Sequence, residues 1–239
     1  MQQRPKLLLA KAWVLYFQFN LWKIPPLLKT IETLLSENAQ ELPSGEIDVF
    51  NGIFSYWQGE GVRSLELFDR ALEQIPAANL GIRNFAETYV AISRQMIGQG
   101  KRAIQTFERK LHNETSESTR KIRLLGSLLF IHLLSGELFK ADELTRQLED
   151  MAARINNAHM GVWASYLQGN IHYQWNNLEK AGHHFSRAVE KAYSLHVNAG
   201  IDSYAGLILS YQAAQQPDKA NETMNRMLEF AQKSGNPAC

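Results

Sequence analysis

Apolar side chains recur along this chain at three- and four-residue intervals. Leu65, Phe68, Ala71, Leu72 and Ile75 keep that rhythm, and so do Leu178, Ala181, Phe185, Ala188, Val189 and Ala192. Such spacing gathers them on one face of a helix. No run alternates apolar and polar residues as a half-buried strand does. The one Asn-Gly pair, Asn51-Gly52, has no alternating runs beside it and predicts no hairpin. Prolines stand at Pro5, Pro25, Pro26, Pro43, Pro76, Pro217 and Pro237, which leaves residues 77–216 free of them. A stretch that long, rich in Ala, Leu, Glu, Gln and Arg, predicts a chain that is nearly all α.

The helical pattern repeats. A turn residue is followed five positions later by a small one: Gly59 by Ser64, Gly98 by Ala103, Gly136 by Ala141 and Asn176 by Ala181. Weaker copies are Asn20 with Pro25 and Gln215 with Ala220. Successive turns are 39, 39, 38, 40 and 39 residues apart. Gly and Asn suit the left-handed residue that ends a helix, and a small residue just inside the next helix lets the two approach closely. Phe68, Phe107 and Phe185 lie four after the small residue, while Gly52, Ala91 and Gly169 lie twelve before it. Ala71 and Ala188 lie seven after it, and Pro76 twelve after it. This is a tetratricopeptide-like pattern on a period longer than the usual unit of about 34 residues. It is degenerate in the first repeat, where Pro25 replaces the small residue, and in the last, where Met224 replaces the aromatic. The fold class it predicts is all-α: a right-handed superhelix of about six helix pairs over 4–36, 45–76, 81–113, 116–155, 158–196 and 198–234. The expectation is one repeat domain spanning residues 1–239, since a pair buries its apolar face only against its neighbours.

Charge narrows the function. With 25 Lys and Arg against 24 Asp and Glu, the chain is close to neutral, which argues against a nucleic-acid-binding surface and a polybasic membrane anchor. The apolar stretch 7–19, interrupted by Lys11 and Gln18, is too short to span a bilayer and lacks a signal-peptide cleavage site; a cytoplasmic protein is expected. Cys239 is the one cysteine, so no internal disulfide or Cys-pair metal site forms. His183 and His184 are adjacent and point about 100° apart on a helix, and no helix carries His at i and i+4 beside a third ligand. Acidic pairs such as Asp142-Glu143 and Glu149-Asp150 read as solvated faces. Asn113-Glu114-Thr115 and Asn221-Glu222-Thr223 match glycosylation acceptors only in a secreted protein. Lys101, Arg102, Arg109, Lys110, Arg120, Lys121 and Arg123 make the third and fourth pairs locally basic, as a solvated surface. No enzyme, cofactor or metal is predicted.

The first helix of each tetratricopeptide-like pair lines the concave face. On that mapping the candidate ligand-binding residues are Trp163, Tyr166, Asn170, Tyr173 and Gln174 in the fifth pair, with Tyr56, Trp57, Gln95 and Gln212 from other pairs. Thr88, Ile92, Met96, Phe130, Leu134, Asp202 and Leu209 lie beside them. Aromatic planes cover apolar faces of a small polar molecule, and amides supply paired donors and acceptors. The positions that would clamp a peptide carboxylate are Val49, Ile53, Thr88, Ile92, Gly126 and Phe130, too apolar for that task.

Three segments carry a family resemblance. Arg4-Pro5-Lys6-Leu7, Ala12-Trp13 and Leu15, then Pro26-Leu27-Leu28 and Ile31-Glu32, form the first. Glu46-Ile47, Gly59, Ala71-Leu72, Ile75-Pro76 and Arg83 form the second. Tyr173-Gln174-Trp175-Asn176-Asn177-Leu178-Glu179-Lys180-Ala181 forms the third and most specific. Together they resemble the helical-repeat region of the large LuxR-type ATP-dependent transcription regulators related to the maltose regulator. The resemblance implies an effector-sensing domain excised from a larger regulator, binding a small-molecule effector or a protein partner. It implies as further partners a preceding nucleotide-binding module and a following DNA-binding module, with no direct nucleic-acid or membrane contact by this segment. The sequence itself has no Gly-x-x-x-x-Gly-Lys-Ser/Thr loop. The alternative is a free-standing tetratricopeptide scaffold for protein–protein interaction.

Overall fold

The computed structural model describes residues 5–18, 20–38, 45–115 and 118–234. Within them lie twelve α-helices: α1 (Pro5–Phe17), α2 (Ile24–Asn38), α3 (Gly45–Trp57), α4 (Gly61–Gln74), α5 (Leu80–Met96), α6 (Gly100–Asn113), α7 (Thr119–Leu134), α8 (Leu138–Arg154), α9 (Ala158–Gln174), α10 (Leu178–Val189), α11 (Val197–Ala213) and α12 (Pro217–Lys233). Short 3-10 turns occupy Leu21–Lys23 and Ala192–Ser194. The helices fall into two compact units. One holds the residues up to Thr30 with those from Thr145 onward; the other holds Ile31–Leu144.

The repeat is written into the backbone. Gly59, Gly98 and Gly136 have φ of 81°, 78° and 74°, and Asn176 and Gln215 follow with 57° and 56°. At each of these turns the residue after the left-handed one donates its N–H five residues back, as from Glu60 to Ser55, Glu137 to His132 and Asn177 to His172. That contact closes the helix end. A left-handed residue other than glycine is strained by about 1–2 kcal/mol. Replacing Gln215 by glycine is therefore expected to stabilise the fold by about 1 kcal/mol, read as a raised urea midpoint; an unchanged or lower midpoint would show the turn to be unstrained.

The small residues after the turns are buried, from Ser64 and Ala141 at 0 % exposure to Ala220 at 3 %. In the unit of α3–α7, the Ser64 hydroxyl donates to the Gly52 carbonyl at 2.9 Å and lies 2.9 Å from the Ser93 hydroxyl, tying α4 to α3 and α5. Phe68 stacks on Tyr89 with ring centroids 5.1 Å apart. In the other unit, Phe185 of α10 lies between Gly169 of α9 and Gly206 of α11. Phe230 of α12 packs on Gly200 of α11 and on the rings of Tyr193 and Tyr204. Met224, at the register position of the aromatic, is exposed. In the same unit α1 sets Tyr16 edge-on to His196, with centroids 5.0 Å apart.

Two boundaries differ from expectation. Asn20 has φ −84° and is not left-handed; a 3-10 turn follows it and leads into α2, where Pro25 and Pro26 sit in the first helical turn. The fifth pair does not continue to residue 196: α10 stops at Val189, and the 3-10 turn places Ala192 and Leu195 into the core. Residue 4, Phe19, Pro43, residues 116–117, Pro237 and Cys239 lie outside the described residues.

Candidate functional site

Counting back from Gly59, Gly98, Gly136, Asn176 and Gln215 gives α3, α5, α7, α9 and α11 the same register. Three residues before the turn stand Tyr56, Gln95, Leu133, Tyr173 and Gln212; two before stand Trp57, Met96, Leu134, Gln174 and Ala213. Asn170, Tyr166 and Trp163 lie six, ten and thirteen before Asn176. Residues at these offsets fall on one side of a helix. Trp57 is 52 % exposed and Tyr173 39 %; Gln174 and Gln212 are exposed as well. Tyr56, Gln95, Trp163, Tyr166 and Asn170 are half-buried.

In the unit of α9–α12, the first helices α9 and α11 lie side by side. The Tyr166 hydroxyl donates to Asp202 Oδ2 at 3.2 Å, and the Asn170 amide donates to the Tyr166 carbonyl at 2.9 Å. Trp163 stands at 80° to the Tyr166 ring with centroids 5.6 Å apart. Burial, and then the charge and hydrogen bond of Asp202, raise the Tyr166 pKa well above the phenolic value, so it stays a donor. Burial also raises the Asp202 carboxyl, against the pull of the Tyr166 hydroxyl. Trp163, Tyr166 and Asn170 therefore form a framework, while Tyr173, Gln174 and Gln212 face solvent.

In the unit of α3–α7, Tyr56 meets Trp57 and Tyr89 edge-on, at 5.8 and 5.5 Å. Gln95 donates to the Ser135 hydroxyl at 3.1 Å, and the Thr88 and Ser127 hydroxyls lie 2.7 Å apart. Ser127 and Ser135 were not legible as site neighbours. The signal was present in the numbering, since each lies 39 or 40 residues after its partner, one repeat onward.

The histidines do not converge. His172 and His184 stack at 15° with centroids 5.4 Å apart, which turns ring faces rather than lone pairs towards each other. Burial, followed by neighbouring His172 and His183, lowers the His184 pKa to about 4. Among the described residues no group of three or more His, Cys, Asp or Glu could hold a metal ion. No helix among them is long and apolar enough to cross a membrane. An open groove of about 350 Å3 between α10 and α11 is lined by Glu179, His183, Ser186, Tyr211 and Gln216 among others.

No protein-family model matches the chain, and no curated protein does. Solved structures do. A Rap protein complexed with competence and sporulation factor matches with a TM-score of 0.68 at 17 % identity, over 99 % of this chain and 68 % of that one. The Rap conjugation gene regulator of the plasmid pLS20, in complex with the Phr* peptide, matches at 0.59 and 14 %, over 96 % and 75 %. A Podosopora anserina kinesin light chain with nearly identical TPR-like repeats matches at 0.53 and 17 %, over 82 % and 99 %. At these identities the likeness is one of fold: an all-α array of TPR-like helix pairs.

These matches correct the LuxR-type reading. The likeness is to Rap-type regulators and TPR-like repeats, not specifically to the effector-sensing region of an ATP-dependent transcription regulator. The expected nucleotide-binding and DNA-binding partner modules lose their support with it. The physical reason lies in the segment that carried the resemblance. Asn176 takes the left-handed turn, the Asn177 side chain accepts from the Lys180 N–H at 3.4 Å, and Ala181 is fully buried where α10 crosses α9. Residues 173–181 thus answer the local demands of any such helix pair, and Leu133 to Ala141 meet them with other side chains.

Proposed function

We propose that this chain is a non-catalytic interaction module that binds a peptide segment of a partner along its first-helix faces. The observation that carries the reading is the shared register of accessible aromatic and amide side chains: Tyr56 and Trp57 in the second pair, Tyr173 and Gln174 in the fifth and Gln212 in the sixth. Rings give a peptide contact area at low entropic expense, and amides pair with its backbone groups. Trp163, Tyr166 and Asn170 hold the surface behind Tyr173. Two of the matched structures support the reading, being complexes with competence and sporulation factor and with the Phr* peptide. The reading takes the six pairs as one right-handed superhelical repeat domain with a step near 39 residues, in the cytoplasm. It requires no cofactor, metal, membrane or direct nucleic-acid contact.

A hexapeptide positional-scanning library titrated against the whole chain tests it. Binding pools are expected, with Tyr173→Ala and Gln212→Ala each weakening them about tenfold, as loss of a central contact does. Both positions are exposed, so melting should stay within about 0.5 kcal/mol of wild type. A library in which no pool binds the wild-type chain defeats the reading.

A further inference from the structure

The helices α9 and α11, 17 residues each, hold a single aspartate, glutamate, lysine or arginine between them, and it is Asp202. Its carboxylate meets the Tyr166 hydroxyl at 3.2 Å, beside a ring that Trp163 backs at 80°. The Asp202 side chain is exposed, so its carboxylate is open to a partner as well as to Tyr166. The cations nearest in sequence on α12 are committed to other rings, Arg226 over Tyr204 at 6.0 Å and Lys219 over Tyr211 at 5.6 Å. The perturbation of Asp202 comes from burial and Tyr166, with no lysine or arginine acting on it. A negative charge set in an otherwise uncharged aromatic surface selects a positive partner twice, through ion pairing and through attraction of the ring face for a cation.

We propose that Asp202 anchors a lysine or arginine side chain of the bound peptide, seated against the Tyr166 ring. The assignment rests on the peptide-binding reading above and adds its charge specificity.

The test uses N-acetylated hexapeptide pools, so that side chains supply the only peptide cations. At one position, pools fixed as Lys or Arg are expected to bind wild type about five- to tenfold more tightly than pools fixed as Gln, the sum of an exposed ion pair and an exposed cation–π contact. Asp202→Asn keeps an acceptor for the Tyr166 hydroxyl; it should melt like wild type, erase the preference and leave Gln pools unchanged. Asp202→Lys should transfer the preference to Asp and Glu pools. Pools that bind without charge preference, or a preference that survives in Asp202→Asn, overturn the anchor while leaving peptide binding intact. A preference seen only with free N-termini overturns the side-chain assignment in favour of the α-amine. Absence of binding by every pool overturns both readings together.

Discussion

Leucine in place of Gly169 is expected to destabilise the chain by about 3 kcal/mol, the upper end of the range for overpacking. An ideal Cβ at Gly169 would lie 2.6 Å from two carbons of the Phe185 ring, and one at Gly206 would lie 2.4 Å from the ring's opposite side. A clash with the end of a mobile side chain is relieved by rotation. Phe185 has no such escape, because it is 2 % exposed and held from both sides. Even Gly169→Ala, which gains about 1 kcal/mol of helix propensity, should lose stability, since that gain is smaller than the cost of displacing the ring. Phe185→Ala opens the space and is itself costly, at about 3–5 kcal/mol. In Gly169→Leu with Phe185→Ala, the leucine fills part of the cavity, so the combined loss should be less than additive. Urea unfolding of the four proteins measures the cycle. A wild-type midpoint for Gly169→Leu, or strict additivity, would show that the two residues do not meet.

The contact of Phe185 with Gly169 within its pair was legible in the sequence, and its contact with Gly206 of the next pair was not. Gly169 recurs with Gly52 and Ala91 at one offset, so its closeness to Phe185 follows from the repeat. Gly206 faces the same ring from the following pair, and no earlier repeat places a glycine there to announce it. The close approach of Phe230 to Gly200 is equally silent, since Phe230 lies ten positions after Ala220 and off the register that Met224 occupies. The site divides the same way. The offsets put nine residues on one helical face, but which of them are consumed by internal bonds, as Tyr166 is by Asp202 and Gln95 by Ser135, depends on neighbouring helices. The family resemblance failed for the converse reason. Its most specific segment is a helix end, a turn and a helix start, and each conserves the residue types that turn geometry requires whatever the protein does.

Acid should weaken the unit that contains α1 before carboxylates begin to titrate. His196 sits at the start of α11 with its ring against Tyr16 and Phe17 of α1, centroids 5.0 and 6.1 Å away. Burial lowers its pKa to about 4, against a hydrogen bond with the Tyr16 backbone that acts to raise it. The folded state thus binds this proton more weakly than the unfolded chain, whose histidine keeps its ordinary value of about 6.5. The stabilisation is complete above that value and is lost as pH falls from 6.5 towards 4, after which both states are protonated and the loss stops. Between pH 6.5 and 5 this single group should remove about 2 kcal/mol. His184 shifts in the same direction through burial, His172 and His183, with Glu149 opposing; being half in solvent, it adds less. The measurement is the urea midpoint at several pH values in this window for wild type and His196→Gln. The variant loses ring packing at every pH, so the slope rather than the absolute stability carries the answer. A slope reduced by most of its size in His196→Gln places the neutral imidazole between α1 and α11. A flat wild-type profile, or a variant as steep as wild type, means that His196 is solvated and that α1 is held by its apolar contacts alone.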